Sequence, residues 1–278
     1  MRRGLEPTLT GAILARVEAR RPDLRFPLPD GFVQRLTGAR IERLERRGKF
    51  IIAPLDRGES LVMHLGMTGR FEIGGASPAT SPDRPVRAAP ADPKHAHVVF
   101  ETQAGARVTF FDARRFGFMD LIESHELPRH PWFALMGPEP LGEAFDEAHL
   151  ARVFADRRQG AKTLLLDQRT VAGLGNIYVC EALNRARVSP TRPAGTISRA
   201  ARARIVAAVR SVLEAAIVAG GSTLRDYAGA DGALGYFQHR FAAYGRAGQA
   251  CRRQGCQGVI ARIVQSGRST FFCPRCQR

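Results

Sequence analysis

Four of the five cysteines fall within the last 28 residues, spaced Cys251-x4-Cys256-x16-Cys273-x2-Cys276. Thiolates in that pattern suit a tetrahedral metal ion, zinc before others, because zinc takes four sulfur ligands with no geometric demand of its own. Residues 259–264 and 269–272 alternate like two strands about Gly267. The ion would therefore staple a β-hairpin too small to fold alone. Four protein ligands leave no open position, so one structural zinc is expected rather than a catalytic one. Cys180 stands apart and reads as a small buried residue.

Charge points to the partner. Lys+Arg number 42 against 26 Asp+Glu over 278 residues, a net charge of +16. A surplus of that size implies a polyanion, nucleic acid before a membrane surface. Only Lys49, Lys94 and Lys162 of those 42 are lysines, leaving 39 arginines. An ammonium can lose its proton near neutral pH and a guanidinium cannot, which makes each lysine a candidate for proton transfer. No apolar run reaches the roughly 20 residues that span a bilayer, and the first residues have no apolar core of a signal peptide. A cytoplasmic protein with reduced cysteines is the expectation.

Taken in order, residues 5–19 carry Leu5, Leu9, Ile13, Leu14 and Val17 at helical spacing and are closed by Pro22. Short β-type runs follow at 49–53, 60–64, 70–73, 97–100 and 107–111, separated by glycine-bearing turns. Residues 74–93 hold five prolines and few apolar side chains, as expected of a mobile surface loop. Helical patterns occupy 145–154, 162–168, 176–186 and 198–219, the last with Ser198 as N-cap and Gly220-Gly221 beyond its end. Glycine then recurs among aromatics, which suggests a flap. The expected class is α+β: an antiparallel β-sandwich flanked by helices over 1–128, a helical domain over 129–222, a flexible loop over 223–240 and a zinc finger over 241–278.

Within 162–190 an apolar helical run meets the turn Ala172-Gly173-Leu174-Gly175 and a second helix begun by Asn176. Free N–H groups at such a helix start suit a phosphate, although the turn alone is more often an ordinary interhelical connection. At the hairpin tip, Gly267 leaves Arg268 exposed and suited to a phosphate. The run from Asp112 to Gly117 sets Arg114 and Arg115 beside Phe116, on a strand or its end, where adjacent side chains face opposite ways. Met67 lies in the glycine-flanked loop His64-Leu-Gly-Met-Thr-Gly69. An arginine, an aromatic and a methionine could fill the hole left by an extruded base, although Phe116 reads equally well as core. Lys94-His95-Ala-His97 has no further ligand at suitable spacing and is not read as a metal site.

Together these segments resemble the Fpg/Nei family of bacterial formamidopyrimidine-DNA glycosylases, essentially end to end. The resemblance is carried by Arg2-Arg-Gly-Leu-Glu-Pro, Arg46-Arg-Gly-Lys49, His64-Leu-Gly-Met67, Lys94-His95, Arg114-Arg-Phe-Gly117, Gly137-Pro-Glu-Pro-Leu141, the Gly-Leu-Gly-Asn-Ile-Tyr helix-two-turn-helix signature and the zinc finger. The Cys251-x4-Cys256 spacing is two residues longer than is usual there. The resemblance implies a monomeric base-excision enzyme that bends damaged double-stranded DNA, flips out an oxidised purine, excises it and cleaves the strand by β- and δ-elimination. It implies that Met67, Arg114 and Phe116 fill the vacated stack, and that His95, Arg115, Arg157, Lys162 and Asn176 serve at the DNA backbone. Lys49 would donate a proton during elimination, and Arg268 would grip the phosphate and serve δ-elimination. The flap from Thr223 to Tyr236 is similar to that of the purine-preferring branch.

In the family, a segment Pro-Glu-Leu-Pro-Glu-Val-Glu-Thr-Val precedes Arg-Arg-Gly-Leu, and its proline supplies the amine nucleophile beside a proton-transferring glutamate. Here Met1 stands at the valine position, directly before Arg2-Arg3. The expectation is a GTG valine codon read as a start codon. The alternative is a catalytically impaired protein that binds damaged DNA.

Overall fold

The computed structural model describes residues 1–74, 91–223, 229–230 and 232–278. The proline-rich stretch 75–90 and flap residues 224–228 and 231 lie outside the described residues. The chain divides into two compact units, Met1–Ala134 with Gly220–Tyr236, and Leu135–Ala219 with Phe237–Arg278.

The first unit opens with helix α1, Arg2–Leu9, and strand β1, Leu14–Ala19. Helix α2 covers Phe32–Leu36. Strands β2 (Glu45–Arg47), β3 (Phe50–Pro54), β4 (Glu59–His64), β5 (Arg70–Gly74), β6 (Ala96–Thr102), β7 (Arg107–Phe111) and β8 (Phe118–Glu123) follow. They form two four-stranded antiparallel sheets, ordered β1-β6-β7-β5 and β2-β3-β4-β8. Leu14, Val98, Phe100, Val108 and Phe110 from one sheet and Ile51, Ala53, Leu61, Met63 and Met119 from the other share one core with Leu5, Leu9 and Leu36. This is the expected β-sandwich.

The helix expected over 5–19 is corrected. Only Arg2–Leu9 is helical; Thr10 is extended and Gly11 takes φ +75°, and β1 pairs with β6 instead. The register slips between Leu14 and Arg16, a bulge that sets the inward-facing Leu14 and Val17 three residues apart. That spacing mimics a helix in a segment that is a strand.

The second unit holds α3 (Glu147–Phe154), α4 (Ala161–Leu166), α5 (Asn176–Ala186) and α6 (Arg199–Val218), then the hairpin β9 (Ala261–Gln265) and β10 (Arg268–Phe272). Asp146 and Ser198 cap α3 and α6 with their side chains, accepting from His149 N–H and Ala201 N–H. Phe145, Phe154, Leu165, Leu183, Ile205 and Val209 form the helical core. Glu181 of α5 is buried, and its carboxylate accepts the backbone N–H groups of Ala242, Ala243 and Tyr244 at 2.8, 2.9 and 2.7 Å. Three such bonds satisfy a carboxylate that burial would otherwise penalise, and they pin the segment leading to the hairpin. No helix among the described residues is long and apolar enough to cross a membrane.

Candidate nucleic-acid interface

In the first unit, the candidate residues converge on one corner. Asp112–Gly117 is the loop that leaves the end of β7 and joins it to β8, and Arg115 turns it at φ +54°. The corner closes because the buried Asp112 carboxylate accepts from Gly117 N–H at 2.7 Å and from the Thr68 hydroxyl. Thr68 Oγ1 in turn accepts Arg114 N–H at 3.1 Å. The loop bearing Met67 is thus tied to the loop bearing Arg114 and Phe116. Gly66, at φ +62°, lies so close to the Phe116 backbone that a Cβ would sit 2.3 Å from the Phe116 carbonyl carbon.

Three large side chains project from this corner. Met67 is 69% exposed and Phe116 is 41% exposed, unusual for apolar residues of their size. The Arg114 guanidinium lies over the Phe116 ring at 4.6 Å. Arg114, Arg115 and Phe116 also line an open recess of about 430 Å³ with Asp23, Leu24 and Arg25. Asp23 lies 3.9 Å from Arg115. His95 joins the corner through its carbonyl, which accepts Asp112 N–H at 3.0 Å.

Lys49 is exposed in the turn between β2 and β3. Across that sheet edge His64 is half-buried, its ring stacked on Phe118 at 5.0 Å and 14°. Burial, and behind it the charges of Lys49 and Arg25, pushes the His64 pKa down to about 4. The neutral ring accepts Gly66 N–H at Nδ1, 3.0 Å away, steadying the Met67 turn. Because the folded pKa lies below the unfolded value, the stability His64 contributes is complete above about pH 6.5 and is lost as pH falls toward 4, on the order of 3 kcal/mol in all. Urea melts between pH 7 and 4.5 should show this slope in the wild type and a flatter one in His64→Gln; parallel profiles would refute it.

In the second unit, a different set meets on the hairpin. Lys162 has 0% of its surface exposed, and its Nζ donates to Ser269 O at 3.2 Å and Thr270 Oγ1 at 2.6 Å. Burial pulls its pKa below the ordinary lysine value; Cys180 opposes this and Arg268 adds to it. Asn176, the first residue of α5, donates from Nδ2 to the same Ser269 carbonyl at 3.0 Å. Two of the five side chains that the sequence suggested for the DNA backbone, Lys162 and Asn176, therefore grip the strand carrying Arg268, which is itself exposed at the hairpin tip. Arg157 is exposed after α3; its carbonyl accepts Gly195 N–H at 2.9 Å, and its charge reaches Asp167.

The four C-terminal cysteines place their sulfurs within 4.8 Å of one another, with Cys251–Cys276 at 3.9 Å and Cys256–Cys273 at 3.7 Å. Sulfurs at ~2.3 Å from a tetrahedral zinc would be ~3.8 Å apart, so the set fits one structural zinc ion. Burial first, then the neighbouring Cys273 and Cys251 thiols, raises Cys276 to about 12, and a dication is what lets all four ionise together. Among the described residues no other cluster of metal-ligating side chains exists.

Comparison with known proteins follows the same division. Residues 1–119 match the formamidopyrimidine-DNA glycosylase N-terminal domain, 136–228 the formamidopyrimidine-DNA glycosylase H2TH domain, and 248–278 the zinc finger found in FPG and IleRS. A formamidopyrimidine-DNA glycosylase of Caulobacter vibrioides is 64% identical over 277 residues, covering 100% of this chain and 96% of that protein. The chain belongs to the formamidopyrimidine-DNA glycosylase family. A second member, from Phenylobacterium zucineum, is 65% identical over 278 residues, covering 100% of this chain and 97% of that protein. Among solved structures, MutM (Fpg) from Thermus thermophilus superposes with a TM-score of 0.83 at 38% identity, over 99% of this chain and 95% of that one. Lactococcus lactis Fpg in complex with abasic-site DNA gives 0.86 at 31%, over 100% and 96%.

Sequence reasoning singled out Met67, Arg114 and Phe116 but missed Thr68, Asp112 and His64, the groups that hold them. One signal was present: an aspartate opening a turn commonly caps it with its own carboxylate. Ser269 and Thr270 gave none, since their partner Lys162 lies more than 100 residues away in sequence.

Proposed function

We propose that this chain is a bifunctional DNA glycosylase/AP lyase of base-excision repair that removes oxidised purines, formamidopyrimidine and 8-oxoguanine, from double-stranded DNA. The single observation that carries the reading is the corner where Met67, Arg114 and Phe116 project from two loops tied together by Thr68 and Asp112. An exposed methionine and an arginine-topped phenylalanine are shaped to enter a base stack, and a group extruded from DNA leaves a hole of that kind. Names of relatives at 64–65% identity over the whole chain support the substrate class.

The remaining roles follow from chemistry. Arg268, on the hairpin that zinc folds, binds a backbone phosphate and serves δ-elimination. His95, Arg115 and Arg157 add phosphate contacts, and Asn176 and Lys162 act at the backbone through the strand they hold. Lys49, an ammonium at an exposed turn, is the proton donor during elimination. The work is divided among 1–128, 129–222, 223–240 and 241–278, in a monomeric, cytoplasmic, nucleoid-associated protein.

Incubation of the protein, carrying the family's Pro-Glu-Leu-Pro-Glu-Val-Glu-Thr-Val in place of Met1, with a duplex bearing one 8-oxoguanine opposite cytosine tests the reading. Free base and a strand cut with phosphate at both ends are expected, and an intact strand with no released base would refute it. Affinity for that duplex should also fall steeply with salt, roughly 10³-fold between 50 and 200 mM. A flat response would show that phosphate contacts do not drive binding.

A further inference from the structure

We propose that Thr68 and Asp112 are positioning residues whose hydroxyl–carboxylate relay makes Met67, Arg114 and Phe116 a single preformed wedge; this rests on the base-extruding function proposed above. Asp112 is 0% exposed, and both carboxylate oxygens are spent on the corner: Oδ1 on the Thr68 hydroxyl and Oδ2 on Gly117 N–H at 2.7 Å. Its backbone is fixed independently from β6 and the turn before it, with its N–H on His95 O at 3.0 Å and its carbonyl on His97 Nε2 at 2.8 Å. Thr68 completes the link by accepting Arg114 N–H at 3.1 Å. Every bond in the relay uses backbone or short side chains, so the three projecting side chains are left to meet DNA.

A buried carboxylate is costly, and closing a turn alone does not require one. What it gives here is stiffness between loops 44 residues apart in sequence. Opening a base stack costs a few kcal/mol per step, and a wedge that must first be ordered loses part of that driving force to entropy. A preformed one does not. The relay should therefore govern the rate of insertion, while general affinity for duplex, set by phosphate contacts, stays the same.

Stopped-flow fluorescence of a duplex carrying 2-aminopurine beside 8-oxoguanine reports stack opening, and binding to lesion-free duplex reports general affinity. Thr68→Val, which removes the hydroxyl but keeps the shape, should slow stack opening about tenfold or more with lesion-free affinity within twofold of wild type. Thr68→Ser should restore the rate, and Asp112→Asn should slow it in the same direction. Thr68→Val at the wild-type rate, or a parallel loss of both readouts that serine fails to rescue, would overturn the inference while leaving the function intact. A wild-type protein that never changes the fluorescence would instead overturn the function, and this inference with it.

Discussion

Removing the zinc, by chelation or by Cys273→Ser, unfolds the hairpin β9–β10 and weakens binding to lesion-bearing duplex. Among the described residues the local apolar cluster has Ala243, Cys251, Ile260, Phe271 and Cys273 as its buried members, two of them metal ligands. So small a core cannot hold a hairpin, whereas structural zinc contributes on the order of 10 kcal/mol of folding free energy. Gly258 underlines how tightly the ion's cage is built, since a Cβ there would lie 2.6 Å from Cys273 Sγ. With the hairpin gone, Lys162 and Asn176 lose Ser269 and Arg268 loses its place, and a lost charge-assisted phosphate contact costs roughly 10- to 100-fold in affinity. Amide exchange across 261–272 with metal content measured alongside checks it. Protected amides and full affinity in metal-free protein would contradict it.

Gly66→Ala should be strongly damaging on the other unit. At φ +62° a side chain is strained, and its Cβ would press within 2.3 Å of the Phe116 backbone. Left-handed strain and overpacking each cost about 1–3 kcal/mol. A fall in Tm on the order of 10 °C is expected, with base release reduced at least 100-fold because the Met67 and Phe116 loops can no longer meet. Gly11→Ala is the control: φ is +75° there, but nothing lies within 4 Å, so only the strain is felt. Equal effects of the two changes would show that the close approach at Gly66 is unimportant.

How much was legible in the sequence depended on how local each determinant is. Helix α5, Asn176–Ala186, was readable end to end because its turn, start and apolar face are all neighbours in the chain. Strand β1 was not, because a bulge disguised its period as helical. Strand β8 went unread, and its pairing with β4 joins residues about 60 apart. The same distinction governs the site. Exposed Met67, Arg114 and Phe116 announced themselves by residue type, and the cysteines by spacing. Lys162 was expected at the DNA backbone, and only its hydrogen bonds to a strand more than 100 residues later reveal a buried clamp. The relay through Thr68 and Asp112 was likewise invisible until two distant loops were brought together.

Single-turnover release of 8-oxoguanine from duplex by the triple variant Met67→Ala/Arg114→Ala/Phe116→Ala is the most direct measure of whether this corner opens the stack. Loss of a few kcal/mol of stack-opening work predicts base release slowed by at least roughly 100-fold, with zinc content and lesion-free duplex affinity retained. Release at the wild-type rate would contradict the account.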